Sequence, residues 1–150
     1  MELQSIYEKL QIQDMNQMQK STYKSTEKDQ DIVLLSPTGS GKTLAFLFPL
    51  LRNLKKNVSG IQALVLVPAR ELALQIEQVF KSMGTDFKVS VCYGGHDKKI
   101  EVNNLIEAPA VLIGTPGRVA YHLRNDNFDP KTIKTLVLDE FDKAATDLTA

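Results

Sequence analysis

Five short apolar runs, separated by longer segments of helical period, constrain the fold of this chain more than any other feature. The runs are rich in β-branched residues and leucine, and they lie at 31–35, 63–67, 88–92, 110–114 and 135–138. Several are apolar at every position, which is typical of strands buried on both faces of a parallel sheet. Strands that alternate with helices in this way predict an α/β fold with right-handed crossovers.

Between the runs, apolar residues recur at the three- and four-residue spacing of one helix face. This spacing indicates helices around residues 44–54, 72–83, 100–106 and 118–124. The opening stretch, 1–30, is polar and rich in Gln, Lys, Ser and Thr, with helical spacing near its start. We therefore expect an N-terminal segment over 1–30 and one α/β domain over 31–150.

The composition is that of one soluble domain. The chain has 150 residues, of which 43% are hydrophobic and 24% charged, and these values are ordinary for a globular protein. The 18 basic and 18 acidic residues cancel, so any nucleic-acid contact must come from locally placed groups. The single cysteine, Cys92, excludes an internal disulfide, and its strand-like surroundings favour a small core residue over a reactive thiol.

The apolar stretches are too short for a membrane protein. The longest, 44–51, has eight residues, whereas a bilayer span needs roughly 20. The first residues have no basic segment leading into an apolar one, as a secretory signal would. We expect a cytoplasmic protein with no membrane partner.

The segment after the first apolar run has the composition of a phosphate-binding loop. Residues 36–43 read Ser-Pro-Thr-Gly-Ser-Gly-Lys-Thr and lie between a predicted strand and a predicted helix, the context that such a loop requires. Gly39 and Gly41 let successive N–H groups point at phosphate oxygens. Lys42 supplies a positive charge to the β- and γ-phosphates, and Thr43 offers a hydroxyl to Mg²⁺. The alternative is a turn before a helix that binds nothing, and the Gly-Lys-Thr sequence in this context favours the phosphate site.

Two carboxylates follow the last apolar run. Asp139 and Glu140 come directly after 135–138, and the carboxyl ends of strands in such a sheet face the ligand crevice. Asp139 is placed to hold a metal through a water, and Glu140 to orient an attacking water. A solvated acidic pair is the alternative interpretation. The phosphate loop earlier in the chain favours the catalytic one.

Further motifs in the same order make the chain resemble the DEAD-box helicases. The matching segments, besides 36–43, are Pro68-Ala69-Arg70-Glu71-Leu72-Ala73, Gly94-Gly95, Thr115-Pro116-Gly117-Arg118 and Asp139-Glu140-Phe141-Asp142. The resemblance covers residues 15–142. Ala69 stands where the family usually has Thr, Phe141 where it has Ala, and Met15-Asn16 where it has Pro-Thr. No aromatic residue stands near Glu2, where the family places one against adenine.

The resemblance implies a RecA-like phosphate-loop NTPase domain, with a mostly parallel sheet, helices on both faces and an incomplete C-terminal part. Gln19, 23 residues before Lys42, would read the adenine edge. The implied ATP-binding residues are Gln19, Thr38, Gly39, Ser40, Gly41, Lys42 and Thr43. Thr43 and Asp139 would bind the metal, and Glu140 and Lys42 would be catalytic. The implied contacts to the RNA backbone are Pro68, Arg70, Gly95, Thr115, Gly117 and Arg118.

The function implied is that of an ATP-dependent RNA helicase that uses ATP and Mg²⁺ and contacts RNA without reading its sequence. The sequence contains no Ser-Ala-Thr run, which the family has after its tetrad, and no second RecA-like domain. We therefore expect the N-terminal part of a longer helicase, nearly inactive alone, whose sheet either lacks the strand that carries that run or closes differently. A phosphate-loop NTPase acting on DNA or on no nucleic acid, and a non-catalytic RNA- or protein-binding scaffold, are the alternatives. His96 and His122 belong to no motif and are interpreted as structural or surface residues.

Overall fold

The computed structural model describes residues 2–28, 31–34 and 41–141. Its helices are α1 Leu3–Leu10, α2 Gln17–Ser25, α3 Lys42–Arg52, α4 Arg70–Ser82, α5 Lys98–Ile106 and α6 Pro116–Arg124, with a 3₁₀ turn at Pro130–Thr132. Its strands are β1 Ala63–Leu66, β2 Val89–Cys92, β3 Val111–Gly114 and β4 Thr135–Leu138. The four later apolar runs and all four predicted helical segments are confirmed, with bounds shifted by a few residues.

The described strands form one sheet in the order β2-β3-β1-β4. Every neighbouring pair is parallel, and Ala63 of β1 lies opposite Val111 of β3 and Thr135 of β4. The predicted parallel α/β fold is therefore confirmed. Because all the strands run the same way, their carboxyl ends meet at one edge of the sheet, which we call the carboxyl edge.

The strands differ in how far they are buried. β3 is buried at every position, as its uninterrupted apolar sequence predicts. In β4 the side chains of Leu136 and Leu138 are 58% and 59% exposed. Among the described residues, no strand pairs with the outer edge of β4. The expectation that the sheet either lacks the next strand or closes differently stays a prediction.

The strand predicted at 31–35 is wrong over residues 31–34, which have no regular structure; Leu35 lies outside the described residues. Val33 is 85% exposed. A run of β-branched residues becomes a strand only where its N–H and C=O groups find a ladder and its side chains find a surface. Residues 31–34 pair with none of the described strands.

Helix α2 was not predicted from apolar spacing, because its sequence, Gln-Met-Gln-Lys-Ser-Thr-Tyr-Lys-Ser, carries few apolar residues. A capping box defines its start. The Asn16 side chain accepts the Gln19 N–H at 2.9 Å, and the Gln19 side chain accepts the Asn16 N–H at 2.8 Å. Reciprocal capping satisfies two N–H groups that a helix start otherwise leaves without partners.

The described residues divide into two compact units. The first comprises those up to Leu54 together with 79–85, and the second comprises 55–78 and those from Asp86 onward. The sheet lies in the second unit. The predicted boundary between residues 30 and 31 falls beside residues 29 and 30, which lie outside the described residues, and it stays a prediction.

Each unit has an apolar interior. In the first, Tyr7 meets Phe48 edge-on, with 5.9 Å between the ring centroids. In the second, a buried cluster joins one face of the sheet to α5 and α6: Ile61, Cys92, Leu105, Leu112 and Val119. Full burial of an aliphatic side chain contributes about 1.5–3 kcal/mol, so this cluster fixes α5 and α6 against the strands. No helix in the described part of the chain is long and apolar enough to cross a membrane.

Candidate functional site

The first unit contains the end of the predicted phosphate loop. Gly41 has a left-handed backbone, with φ of 86°, and directly precedes Lys42, the first residue of α3. Thr43 follows within the first turn. This arrangement places the lysine and the threonine at a helix N-terminus, where the dipole favours anions. Thr38, Gly39 and Ser40 lie outside the described residues.

Gln19 packs against the start of α3. Its side chain is buried, and its Nε2 donates to the Gly41 carbonyl at 3.1 Å. The left-handed backbone of Gly41 favours glycine, and a Cβ there would lie 2.6 Å from the same Nε2, so the Gln19 amide would have to shift. The structure thus brings the predicted adenine-reading residue against the predicted phosphate loop. The adenine contact itself stays a prediction.

The second unit places the remaining predicted site residues along the carboxyl edge. The strands end at Leu66, Cys92, Gly114 and Leu138. The residues that follow them are Pro68 and Arg70 after β1, Gly95 after β2, Thr115, Gly117 and Arg118 after β3, and Asp139 and Glu140 after β4. The fold therefore gathers these motifs, which are separated along the sequence, on one edge.

The acidic pair has distinctive backbone geometry. The side chain of Asp139 is buried, and its N–H donates to the Leu66 carbonyl at 3.0 Å, which continues the β1–β4 ladder. Glu140 has a left-handed backbone with φ of 65°. This conformation costs roughly 1–2 kcal/mol for a residue other than glycine, and strain of this kind is frequent at functional sites. Asp142 lies outside the described residues.

The glycines of the carboxyl edge are of two kinds. Gly95 has φ of 90° in a turn that the His96 N–H closes on the Tyr93 carbonyl at 3.2 Å, and this backbone requires glycine. Gly94 and Gly117 are exposed and lack a positive φ, and a Cβ on either would meet no described atom within 4 Å. The fold does not need glycine at these two positions. Their missing side chains leave the backbone open to a ligand.

The start of α6 is suited to an anion. Thr115 is the N-cap, and its side chain makes no capping hydrogen bond within the described residues. Pro116 occupies the first helical position, and the first bond along the helix runs from the Val119 N–H to the Thr115 carbonyl at 3.0 Å. The N–H groups of Gly117 and Arg118 precede that bond and point away from the helix body.

The two predicted arginines have different surroundings. Arg70 is exposed, and its guanidinium lies 5.5 Å from the centroid of the Tyr93 ring. The Arg118 side chain is only 10% exposed, and its Nη1 donates to Glu101 Oε1 and to the His96 carbonyl, both at 2.9 Å. Arg118 therefore makes internal contacts that its motif did not suggest. Its contact to RNA stays a prediction.

Glu101 lies at the centre of a buried polar cluster that the sequence did not reveal. The carboxylate is 1% exposed. Its Oε2 accepts the Tyr93 N–H at 2.9 Å and lies 2.8 Å from His96 Nδ1, while its Oε1 lies 2.7 Å from His122 Nε2 and also contacts Arg118. We call these residues the Glu101 cluster. Burial raises the pKa of Glu101, but hydrogen bonds from its partners outweigh burial and hold that pKa below the usual value.

His96, His122 and Cys92, which the sequence suggested were structural or surface residues, lie in or near the Glu101 cluster. His122 is fully buried in the Glu101 cluster and is structural, as expected, while His96 is partly exposed. Cys92 is buried, and burial followed by the nearby charge of Glu101 raises the pKa of its thiol to about 12. The interpretation of Cys92 as a core residue is confirmed by its burial.

The chemistry of the predicted metal ligands suits a magnesium ion that is bound mainly through a nucleotide. Within the described residues, no group of three or more His, Cys, Asp or Glu side chains could hold a metal. Mg²⁺ in nucleotide sites typically has one or two protein oxygen ligands and takes the rest from phosphates and water. The Thr43 hydroxyl in the first unit and the Asp139 carboxylate in the second are each an oxygen donor of that kind, and their joint role stays a prediction.

The parallel sheet with its connecting helices defines the class as an α/β domain, and the predicted site residues of the second unit follow its strands at the carboxyl edge. The profile of the family described as DEAD/DEAH box helicase matches residues 16–148. This match covers most of the chain, so the chain belongs to the DEAD/DEAH box helicase family.

Individual proteins that the chain resembles belong to the same family. The chain is 39% identical over 143 residues to the DEAD-box ATP-dependent RNA helicase CshC of Bacillus cereus, covering 94% of this chain and 37% of that protein. It is 39% identical over 145 residues to the ATP-dependent rRNA helicase RRP3 of Meyerozyma guilliermondii, covering 95% and 30%. The crystal structure of the yeast DEAD-box splicing factor Prp28 superposes with a TM-score of 0.87 at 32% identity, covering 97% of this chain and 36% of that one. The chain thus spans about a third of the length of these relatives.

Proposed function

We propose that this chain is the ATP-binding and RNA-backbone-binding part of a cytoplasmic ATP-dependent RNA helicase. The observation that carries the proposal is the pair of exposed glycines, Gly94 and Gly117, at the carboxyl edge. Neither the backbone conformation nor the packing explains glycine at these positions. Close approach of a ligand backbone does.

The carboxyl edge suits a sugar–phosphate strand better than it suits a base-reading contact. The N–H groups at the start of α6 and the guanidinium of Arg70 are donors for phosphate oxygens. Contacts of this kind position a strand without reading its sequence. The chain has no net charge, so these local groups supply the attraction. RNA binding should therefore be weak and independent of sequence in the isolated chain.

We assign the nucleotide roles to individual residues. Lys42 binds the phosphates, Thr43 and Asp139 bind Mg²⁺, Glu140 orients the attacking water, and Gln19 contacts adenine. Bound Mg²⁺ would neutralise charge on the phosphate oxygens. The buried carboxylate of Asp139 and the strained backbone of Glu140 support this assignment.

Efficient hydrolysis would need a second RecA-like domain that closes over ATP and RNA, since such closure assembles the catalytic groups. The chain alone should bind nucleotide and turn over very little of it. In a protein that includes the second domain, Glu140→Gln should keep ATP binding and lose hydrolysis. Equal ATPase rates in that variant and the wild type would remove Glu140 from its assigned role.

RNA binding can be tested by fluorescence anisotropy with labelled single-stranded oligonucleotides. The chain should bind poly(U) and poly(A) oligomers with similar affinity, and Arg70→Gln should weaken both. Arg124→Gln is the matched control. It also replaces an exposed arginine by glutamine, but Arg124 is the last residue of α6, at the end of that helix away from the carboxyl edge. Equal weakening by the two variants, or no binding by the wild type, would contradict the proposal. Tighter binding to the corresponding DNA would favour the DNA-directed alternative.

Nucleotide binding can be tested by calorimetry with Mg²⁺–ATP. Lys42→Ala should abolish the binding heat, because the positive charge that Lys42 contributes to binding the β- and γ-phosphates is lost. Lys56→Ala is the control, because Lys56 is an exposed lysine whose ion pair to Asp86 is also exposed. Binding by the Lys42 variant at wild-type strength would overturn the phosphate-loop assignment.

A further inference from the structure

Glu101 joins two of the loops at the carboxyl edge, although it lies outside every motif of the chain. It sits on α5, between β2 and β3 in the sequence. Tyr93 and His96 flank the glycine pair after β2, and Arg118 lies in the first turn of α6 after β3. One carboxylate contacts all three of these residues. We propose that Glu101 is a positioning residue for RNA binding, which fixes the glycine turn relative to the start of α6.

The hydrogen bonds of Glu101 and Arg118 form a closed ring with the turn that follows β2. The Tyr93 N–H and the His96 ring bind Glu101 Oε2 at the two ends of the turn, and Arg118 binds Glu101 Oε1. Arg118 also donates to the His96 carbonyl at 2.9 Å. The turn and the helix start are thus connected twice, once through the carboxylate and once directly. An RNA strand bound to both loops would therefore meet hydrogen-bond donors that already lie at a fixed spacing.

A further pair of residues orients Glu101. The Asn127 Nδ2 lies 2.9 Å from His122 Nδ1 and donates to it, which leaves the proton of His122 on Nε2. That proton is donated to Glu101 Oε1 at 2.7 Å. Asn127 is in turn fixed by its own N–H, which donates to the His122 carbonyl at 2.9 Å. The carboxylate therefore has one defined orientation toward the two loops.

A contribution to stability alone is a poor explanation for this carboxylate. Burying ionised groups carries a desolvation cost that often offsets their attraction, and well-packed apolar residues frequently do as well. Leu105 on the same helix shows that α5 fills its interface with apolar side chains elsewhere. What a charged, directional partner adds is a fixed geometry for Arg118 and the turn.

The test is a double-mutant cycle on RNA affinity, measured by anisotropy well below the unfolding temperature of each variant. Glu101→Gln keeps the size of the side chain but removes the charge and turns one acceptor into a donor. It should weaken RNA binding by about tenfold and leave the Mg²⁺–ATP affinity unchanged. In the Arg118→Ala background the same change should have a clearly smaller effect, because the residue that it positions is gone.

Glu107→Gln is the control, since Glu107 is exposed at the end of α5 and should bind RNA like the wild type. Asn127→Ala is a milder second variant that removes only the outer bond to His122, and it should weaken RNA binding by a smaller factor. Wild-type RNA affinity in both Glu101→Gln and Asn127→Ala would overturn the positioning role, as would an undiminished effect of Glu101→Gln without Arg118.

The inference rests on the proposed RNA-binding function, and the two can fail separately. If the wild type binds RNA and Arg70→Gln weakens binding while Glu101→Gln does not, only the positioning role is wrong. If the wild type does not bind RNA, the proposed function is wrong and the positioning role is overturned with it.

Discussion

The side-chain amide of Gln19 donates to the main-chain carbonyl of Gly41 at 3.1 Å, across 22 positions of sequence. The same amide caps α2 through the Asn16 N–H. One buried side chain therefore links the start of α2 to the residue that precedes Lys42. A residue assigned to adenine recognition also supports the end of the phosphate loop.

This dual contact can be separated by Gln19→Glu. The carboxylate still accepts the Asn16 N–H, and Glu is a usual residue at this capping position, so α2 should keep its start. It can no longer donate to Gly41, and two oxygens would face each other at that point. An unsatisfied buried polar contact costs roughly 1–3 kcal/mol, so Mg²⁺–ATP binding should weaken by about tenfold in a calorimetric titration.

Gln17→Glu is the control, because it makes the same chemical change at an exposed position of the same helix. It should leave nucleotide affinity unchanged. If Gln19→Glu binds Mg²⁺–ATP as the wild type does, the Gln19–Gly41 contact has no part in forming the nucleotide site.

The buried carboxylate of Glu101 predicts a pH dependence of stability. Its pKa in the folded protein lies below the usual value of 4.5, so the unfolded chain takes up the proton first as pH falls. Glu101 therefore stabilises the fold at pH values above about 4.5, and this contribution is lost as pH falls below that value toward the folded pKa. Urea unfolding of the wild type at pH 7, 5, 4 and 3 should show this loss.

Glu101→Gln removes the titrating group. Its stability at pH 7 should be lower than that of the wild type, and its decline between pH 5 and pH 3 should be smaller. Other carboxylates, such as Asp14, titrate in both proteins, so the difference between the two curves isolates Glu101. Parallel curves would show that Glu101 has the same pKa in the folded and unfolded chains.

The thiol of Cys92 should be inert in the folded protein. It is buried at the end of β2, and burial together with the nearby charge of Glu101 raises the pKa of the thiol to about 12. Thiolate is the reactive form, so iodoacetamide at pH 8 should leave the native chain unmodified by mass spectrometry. The same reagent in 6 M guanidinium should alkylate it fully. Rapid labelling of the native chain would contradict the burial.

The sequence predicted β1 to β4 well because each is a compact apolar run that the sheet also buries or pairs. Residues 31–34 have the same composition but find no partner strand among the described residues. Composition reports only the preference of a segment for extended backbone. Whether a ladder exists for it depends on the rest of the sheet, which local sequence does not contain.

Two other features were missed for different reasons. Helix α2 carries its signal in the capping pair Asn16 and Gln19 and not in apolar spacing, so a search for capping boxes would have found it. Glu101 has no local signal at all. Its partners lie between five and 21 positions away in the sequence, and only the meeting of β2, β3 and α6 brings them together.

Substitution of Gly117 by alanine should change the stability of the fold and the affinity for RNA in opposite directions. It occupies the second position of α6, lacks a positive φ, and a side chain there would meet no described atom within 4 Å. Alanine at such a helical position should raise the free energy of unfolding by about 0.5 kcal/mol, because the unfolded chain loses freedom. The same side chain would lie where the RNA backbone is proposed to bind.

The most direct test of the central claim is therefore the RNA affinity of Gly117→Ala and Gly117→Leu, measured with their unfolding temperatures. Asn103→Leu, an exposed position on α5, is the control for an added surface leucine. Gly117→Ala should unfold at a higher temperature than the wild type, and Gly117→Leu should bind RNA at least about tenfold more weakly, with Gly117→Ala in between. Unchanged RNA affinity in both Gly117 variants would contradict RNA binding at the carboxyl edge.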